Sequence, residues 1–401
     1  MRQRAYLLAT AALLFLCFPS ISSAYSVLAH EALIDDAWTD HIAPLLKRRF
    51  PTASAQALQE ARAYAYGGSL IQDLGYYPFG SRFFSNLVHY VRSGDFVTAL
   101  IRESRTVDDY AFALGALAHY ASDNAAHPTV NHALPIIYPK LRAKYGDVVL
   151  FADSPTRHVM AEFAFDVLQV ARGQFKSDAY QDLIGFEVAR PLLERAFHDT
   201  YGLELKDVFG DVDLAIGTYR RAASVFIPDV TRAAWQEKRD EILAATPDVT
   251  EQRFVYTMTR QQYEDTFGTT YRKPGFLVRF VVAIFKVIPK FGPFKPLSFE
   301  PLTAETERMF LNSYAASHDR YYELLRSLRN GRLMLTDTDL DTGRRPARGV
   351  NELGDKTYAE LLTRLHRQES AAATPGIRRA LAAHYAAIYD TPSRISSEGV
   401  R

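Results

Sequence analysis

The 401-residue chain contains one cysteine, Cys17, and only five methionines and two tryptophans. A single cysteine excludes an internal disulfide framework and a thiolate metal site. Any metal ion must therefore rely on His, Asp, Glu or backbone groups. A charge surplus is also missing: 47 Lys and Arg face 46 Asp and Glu, so no global basic excess points to nucleic acid. Long period-two runs rich in Val, Ile and Thr are scarce, which argues against a large sheet. There is no internal repeat and no low-complexity tract. Hydrophobic residues at 48% and charged residues at 23% are those of a globular protein and exclude disorder or a polytopic membrane protein. The length allows two or three domains, or one large domain with an appended part.

The longest apolar run, Ala5 to Phe18, is too short to span a bilayer comfortably. It follows Arg2 and Arg4 and precedes the small residues Ser22-Ser23-Ala24, which is the pattern of an export signal. Residues 1–24 are expected to be removed, leaving Tyr25 first and 45 basic against 46 acidic residues, a net −1. Cys17 would leave with the signal. Leu14-Phe15-Leu16 before it lack the small residues of a lipid-modified cysteine. The expected location is periplasmic or extracellular.

The remaining chain reads as all-α. Ala55–Tyr66, Phe83–Arg92, Val107–Ala121 and His158–Ala171 carry apolar residues at spacings of three and four. Thr106 with Asp109 forms a capping pair, and Ser154-Pro155 places a cap before a first-turn proline. Seven of the eleven histidines fall between residues 30 and 158. That predicts a functional region over 25–250 and a helical C-terminal region over 251–401, with the most linker-like composition between Ile227 and Gly275.

The strongest motif is His119-Tyr-Ala-Ser-Asp123-Asn-Ala-Ala-His127. On a helix, His119 and Asp123 share a face. Pro128 predicts that His127 projects from the turn that ends this helix. His158 and Glu162 repeat the four-residue spacing, each pair a half-site for zinc, which takes His nitrogen and carboxylate oxygen. One such pair is more often a surface ion pair. Here, however, the polar residues interrupt apolar helix, as in Leu114-Gly-Ala-Leu-Ala118 before His119. Burying them unpaired would cost several kcal/mol, a cost that a metal would offset. Asp73 follows Gly67-Gly68 at a helix end, His89 lies on the next helix and His30 lies near Tyr25.

This ordered set resembles the zinc-dependent phospholipase C family, which shares its all-helical fold with the P1-type nucleases. The resemblance runs from Tyr25 to about Ala171. It implies three zinc ions: one on Asp73, His89, His119 and Asp123; a second on His127, His158 and Glu162; a third on His30, a bridging Asp123 and the free amine and carbonyl of Tyr25. It further implies that Asp73 orients or deprotonates the attacking water. Three residues separate Asp123 from His127, which is similar to the catalytic domain of glycosylphosphatidylinositol-specific phospholipase D rather than the longer spacing of the small bacterial phospholipases C. Leu74 and Asn86 stand where those enzymes carry choline-cage aromatics, which argues against choline specificity. Tyr76, Tyr77, Phe83 and Phe84 are alternative cleft aromatics, or simply core.

Together these readings predict an exported zinc-dependent phosphodiesterase, a hydrolase of phospholipids of C or D type. The alternatives are a zinc nuclease of related fold and a non-catalytic, metal-stabilised, membrane-associated protein. The N-terminal half lacks the basic track a nuclease needs. Between Phe267 and Phe299 there is no Asp or Glu, while six Lys and Arg accompany an apolar stripe through Phe276, Phe280 and Ile284. The segment near 272–297 reads either as a membrane-interface helix or as a core helix with basic edges. Asp337-Thr-Asp339-Leu-Asp341 is a degenerate calcium-loop pattern, with glycine misplaced and Arg348 where glutamate is needed. His41, His132, His198, His318, His366 and His384 have no partner at ligand spacing.

Overall fold

A computed structural model describes residues 27–171, 187–220, 302–367 and 373–386, with scattered residues between 235 and 251. The expected export signal, Tyr25 and the basic segment near 272–297 lie outside the described residues. Within them the protein is all-α, and the only strand-like pairing is an isolated bridge between Asp339 and Arg344.

The chain enters as α1 (Val27–Ala37), passes through a π-helical turn (Trp38–Ile42) into α2 (Ala43–Arg49), and continues as α3 (Ala55–Ser69). Ser54 starts α3 by accepting from Ala57 N at 3.1 Å, which satisfies one of the orphan amides of a helix start. A 3-10 turn (Ile71–Tyr76) leads to α4 (Arg82–Tyr90) and α5 (Ser93–Glu103). The 31-residue α6 (Val107–Ile137) follows. Its start is the capping pair read from the sequence: Thr106 Oγ1 accepts from Asp109 N at 3.0 Å, and Asp109 Oδ2 accepts from Arg105 N at 3.0 Å. Then come α7 (Pro139–Tyr145), α8 (Pro155–Ala171), α9 (Arg190–Tyr201) and α10 (Leu205–Val208), and, after residue 301, α11 (Ala304–Arg329), α12 (Glu352–Arg367) and α13 (Pro375–Ala386).

Helix α6 is the axis of the fold, buried continuously from Tyr110 to Asp123. Helices α3 and α11 pack along it. Glycines set the α3 crossing. A Cβ on Gly68 would fall 1.9 Å from the Phe112 carbonyl oxygen, and one on Gly115 would fall 2.0 Å from that of Ala65. No side chain fits there, so the two backbones touch.

The sequence predicts that α6 ends near His127, yet the helix runs through Pro128 and Pro135. Tertiary packing overrides the local preference. Ser313 Oγ and Ser317 Oγ of α11 donate to the carbonyls of Ala125 and Ser122 at 3.3 and 3.4 Å, and Thr129 Oγ1 adds a bond to Ala125 at 3.1 Å. Tyr321 Oη donates to Leu114 O at 3.0 Å. The bonds from Ser313, Ser317 and Tyr321 tie α6 to α11 on the approach to Pro128, and Asn131 O, which Pro135 cannot serve, accepts from Val149 N at 3.0 Å. The C-terminal helices also share the core of the N-terminal ones, through Phe310, Tyr321, Leu324, Leu340 and Leu361.

Candidate metal centre

Because α6 continues, His119, Asp123 and His127 all stand on one helical face at successive turns. Four other elements bring side chains to that face. Helix α1 supplies His30, the 3-10 turn supplies Asp73, and α4 supplies His89. Helix α8 brings His158 and Glu162. All eight are at most 2% exposed.

The Asp123 carboxylate lies at the centre. Its Oδ2 is 3.0 Å from His119 Nε2, 3.4 Å from His89 Nε2 and 3.5 Å from His127 Nε2, while Oδ1 faces His30 Nε2 at 3.5 Å. Asp73 Oδ1 lies 3.5 Å from His89 Nε2, and Glu162 Oε1 lies 3.0 Å from His158 Nε2. Three groups of donor atoms result, each within 4.8 Å of one another: His30, His119 and Asp123; Asp73, His89 and His119; His127, His158 and Glu162. The last contains the same three residues as one site implied by the family resemblance. His119 belongs to both of the others.

Two rings are fixed from behind. His89 Nδ1–H donates to Ser85 O at 2.7 Å, and His119 Nδ1–H donates to Ser69 O at 2.8 Å. A carbonyl only accepts, so in its neutral form each ring presents a bare Nε2 to the centre. Both oxygens of Asp73, Asp123 and Glu162, and Nε2 of His127 and His158, are buried without a hydrogen-bond partner. Buried groups of this kind cost several kcal/mol apiece unless something satisfies them. Imidazole nitrogens and carboxylate oxygens, with no sulfur, form a donor set for zinc.

The charges follow this arrangement. Burial pushes the Asp123 carboxyl up, but His119 and His127 outweigh it and hold it well below the ordinary carboxylate range. Burial dominates at Asp73, which rises to about 7 despite His119 and His89. Burial disfavours the His127 imidazolium, yet Asp123, Asp341 and Glu162 raise it to about 10.

Among the cleft aromatics, the structure separates one from the rest. Tyr76 packs 6.1 Å from His89 and 6.0 Å from Phe151, whose ring lies 5.3 Å from His158. Tyr77, Phe83 and Phe84 are core: Tyr77 sits on Tyr219, and Phe84 sits among Phe96, Phe197 and Phe209. None of the other six histidines joins the centre. His41 and His318 pack on Tyr322, His198 pairs with Glu204 at the surface and His384 stacks on Tyr358.

Sequence reasoning missed two residues. Asp166 continues the spacing of His158 and Glu162 by one more turn, and its Oδ2 accepts from Leu28 N at 3.0 Å, tying the start of α1 to α8. The four-residue periodicity carried that signal. Asp341 lies beside His127, and nothing local in the sequence links them. The calcium-loop reading of its segment does not survive, because the three aspartates serve different partners. Asp337 Oδ1 accepts from Asp95 N at 3.0 Å, Asp339 Oδ1 accepts from Thr342 N at 2.9 Å, and Asp341 faces His127.

No curated protein and no solved structure matches the chain. Residues 29–211, which contain all eight donors described above, match the zinc dependent phospholipase C family. That family's cofactor is zinc, and the three donor groups provide for up to three ions. Over that span the chain is similar to the zinc-dependent phospholipase C family.

Proposed function

We propose that this protein is an exported phosphodiesterase that hydrolyses phospholipids at its zinc centre. The family match over residues 29–211 supports a hydrolase acting on phosphoester bonds. The observation that carries the reading furthest is the convergence of eight buried ligand residues in three groups, with four histidines facing the Asp123 carboxylate. Zinc held there would supply Lewis-acid stabilisation of phosphate oxygens and activation of water at neutral pH. In this reading His30, His119 and Asp123 hold one ion, with the amine and carbonyl of Tyr25 completing the set. Asp73, His89 and His119, sharing Asp123, would hold another, and His127, His158 and Glu162 the last. Asp73 also accepts the proton of the attacking water. Tyr76 and Phe151 form an apolar flank against His89 and His158, suited to the lipid side of a phosphodiester. Export is supported by the charged start, the short apolar run and the small residues before Tyr25. No helix among the described residues is long and apolar enough to cross a membrane.

The test is hydrolysis of phosphatidylcholine, phosphatidylinositol and glycosylphosphatidylinositol by the zinc-loaded protein, with single-stranded DNA alongside. A phosphorylated headgroup in solution identifies C-type cleavage, and phosphatidic acid identifies D-type. Turnover of DNA alone, or of nothing, would overturn the reading.

A further inference from the structure

We propose that Asp341 is a positioning residue of the metal centre, delivered by the C-terminal segment to hold His127 through Nδ1 and aim its Nε2 at the donors of His158 and Glu162. The proposal rests on the zinc-centre reading. His89 and His119 each have a backbone carbonyl behind the ring. Behind His127 stands a carboxylate instead: Asp341 Oδ1 lies 3.6 Å from Nδ1, at ion-pair distance. An anion at Nδ1 fixes the tautomer and makes Nε2 a stronger donor to a cation.

The loop is built to keep that carboxylate in place. Asp341 is fully buried. Asn131, one turn beyond His127 on α6, donates its Nδ2–H to the Asp341 carbonyl at 2.7 Å and to Oδ1 at 3.3 Å. Asn351 donates to Asp341 Oδ2 and to Asp339 Oδ1, both at 3.3 Å. Leu340 N donates to the carbonyl of His89 at 3.0 Å, so one loop touches the backbone of one donor and the ring of another. Gly343 closes the turn with φ +65°, and a Cβ there would lie 3.1 Å from the Asn124 carbonyl oxygen. Asp339 holds the loop internally through Thr342 N and Oγ1 at 2.9 and 3.1 Å. The family match ends at residue 211, so this support comes from outside the matched segment.

The experiment compares wild type, Asp341→Ala, Asp341→Asn and the loop control Asp339→Asn. Zinc content and affinity are measured by competition with a chromophoric chelator, helicity by circular dichroism, and kcat and KM separately. Asp341→Asn keeps the shape and the acceptor for Asn131 but removes the charge. Both Asp341 variants should weaken one zinc equivalent by about 10- to 100-fold, with kcat falling and KM little changed. Asp339→Asn keeps the acceptor oxygen for Thr342 and removes a charge that does not face His127, so it should keep every equivalent. If Asp341→Ala does not fold, the isosteric Asp341→Asn decides. Full zinc affinity in a folded Asp341 variant would overturn the proposal, as would equal loss in Asp339→Asn. Wild type without zinc would instead overturn the centre itself, a distinguishable result.

Discussion

The Nε2 atoms of His89 and His119 face each other at 3.3 Å, and the Nδ1–H of each is already committed to a backbone carbonyl. In neutral rings two bare lone pairs at this separation repel; a metal cation relieves this, as does a proton on His119, which burial opposes but Asp123 favours. Metal should therefore stabilise the fold as well as serve chemistry. Zinc at a thousand times its dissociation constant adds about 4 kcal/mol, so chelation should lower the melting temperature by on the order of 10 °C. The measurement is a circular-dichroism melt before and after chelation, with zinc then restored. An unchanged melting temperature would exclude a metal role in holding the helices together.

Asp123 divides its two oxygens between His30 on one side and His89, His119 and His127 on the other. Glu162 serves one group only. Asp123→Asn should therefore remove more than one zinc equivalent per chain, because an amide is neutral and offers no anionic oxygen to each side. Glu162→Gln should loosen a single equivalent. Metal analysis of both purified variants distinguishes them, and equal losses would contradict a shared carboxylate.

Zinc binding should release protons. Without metal, His127 is pushed up to about 10 and carries a proton at pH 7, while Asp73, at about 7, is half protonated. A ligating imidazole must be neutral and a ligating carboxylate ionised. The bound state thus holds fewer protons, and affinity should rise as pH increases from 6 to 8. Calorimetric titration in two buffers of different ionisation enthalpy should report release of about one proton or more per chain at pH 7. Identical heats in the two buffers would refute this.

The helical class, the α6 cap and the donor spacing were legible because each depends on neighbours in the chain. Thr106 and Asp109 are three apart, and His119 and Asp123 are four apart. The run of α6 past Pro128 was not legible, because the hydroxyls that serve its carbonyls come from Ser313 and Ser317, far along the chain. Asp341 was hidden for the same reason: its meaning depends on a loop closing onto His127 across 214 residues. Tyr77, Phe83 and Phe84 were ambiguous, since burial of an aromatic ring does not depend on its immediate neighbours. Asp166 is legible by spacing alone, one turn beyond Glu162 on the face that carries His158.

Gly115 links the packing to the site. It lies one turn before His119 on α6, and its missing side chain lets α3 approach so that Ser69 O meets His119 Nδ1 at 2.8 Å. In Gly115→Ala the new methyl would lie 2.0 Å from the Ala65 carbonyl oxygen and 2.7 Å from Ser69 N. Both are backbone atoms, so the helices must separate. Overpacking of this kind costs about 1–3 kcal/mol, and more where nothing gives way. The substitution gains helix propensity, at most about 1 kcal/mol, so the clash should win. The movement should also lengthen the bond that orients His119, which two of the donor groups share. Gly115→Ala is therefore expected to lower both the melting temperature and the zinc content. Gly210→Ala, where a Cβ meets nothing within 4 Å, should leave both unchanged. A Gly115→Ala protein as stable as wild type and fully zinc-loaded would show that the close crossing of α3 and α6 does not position the centre.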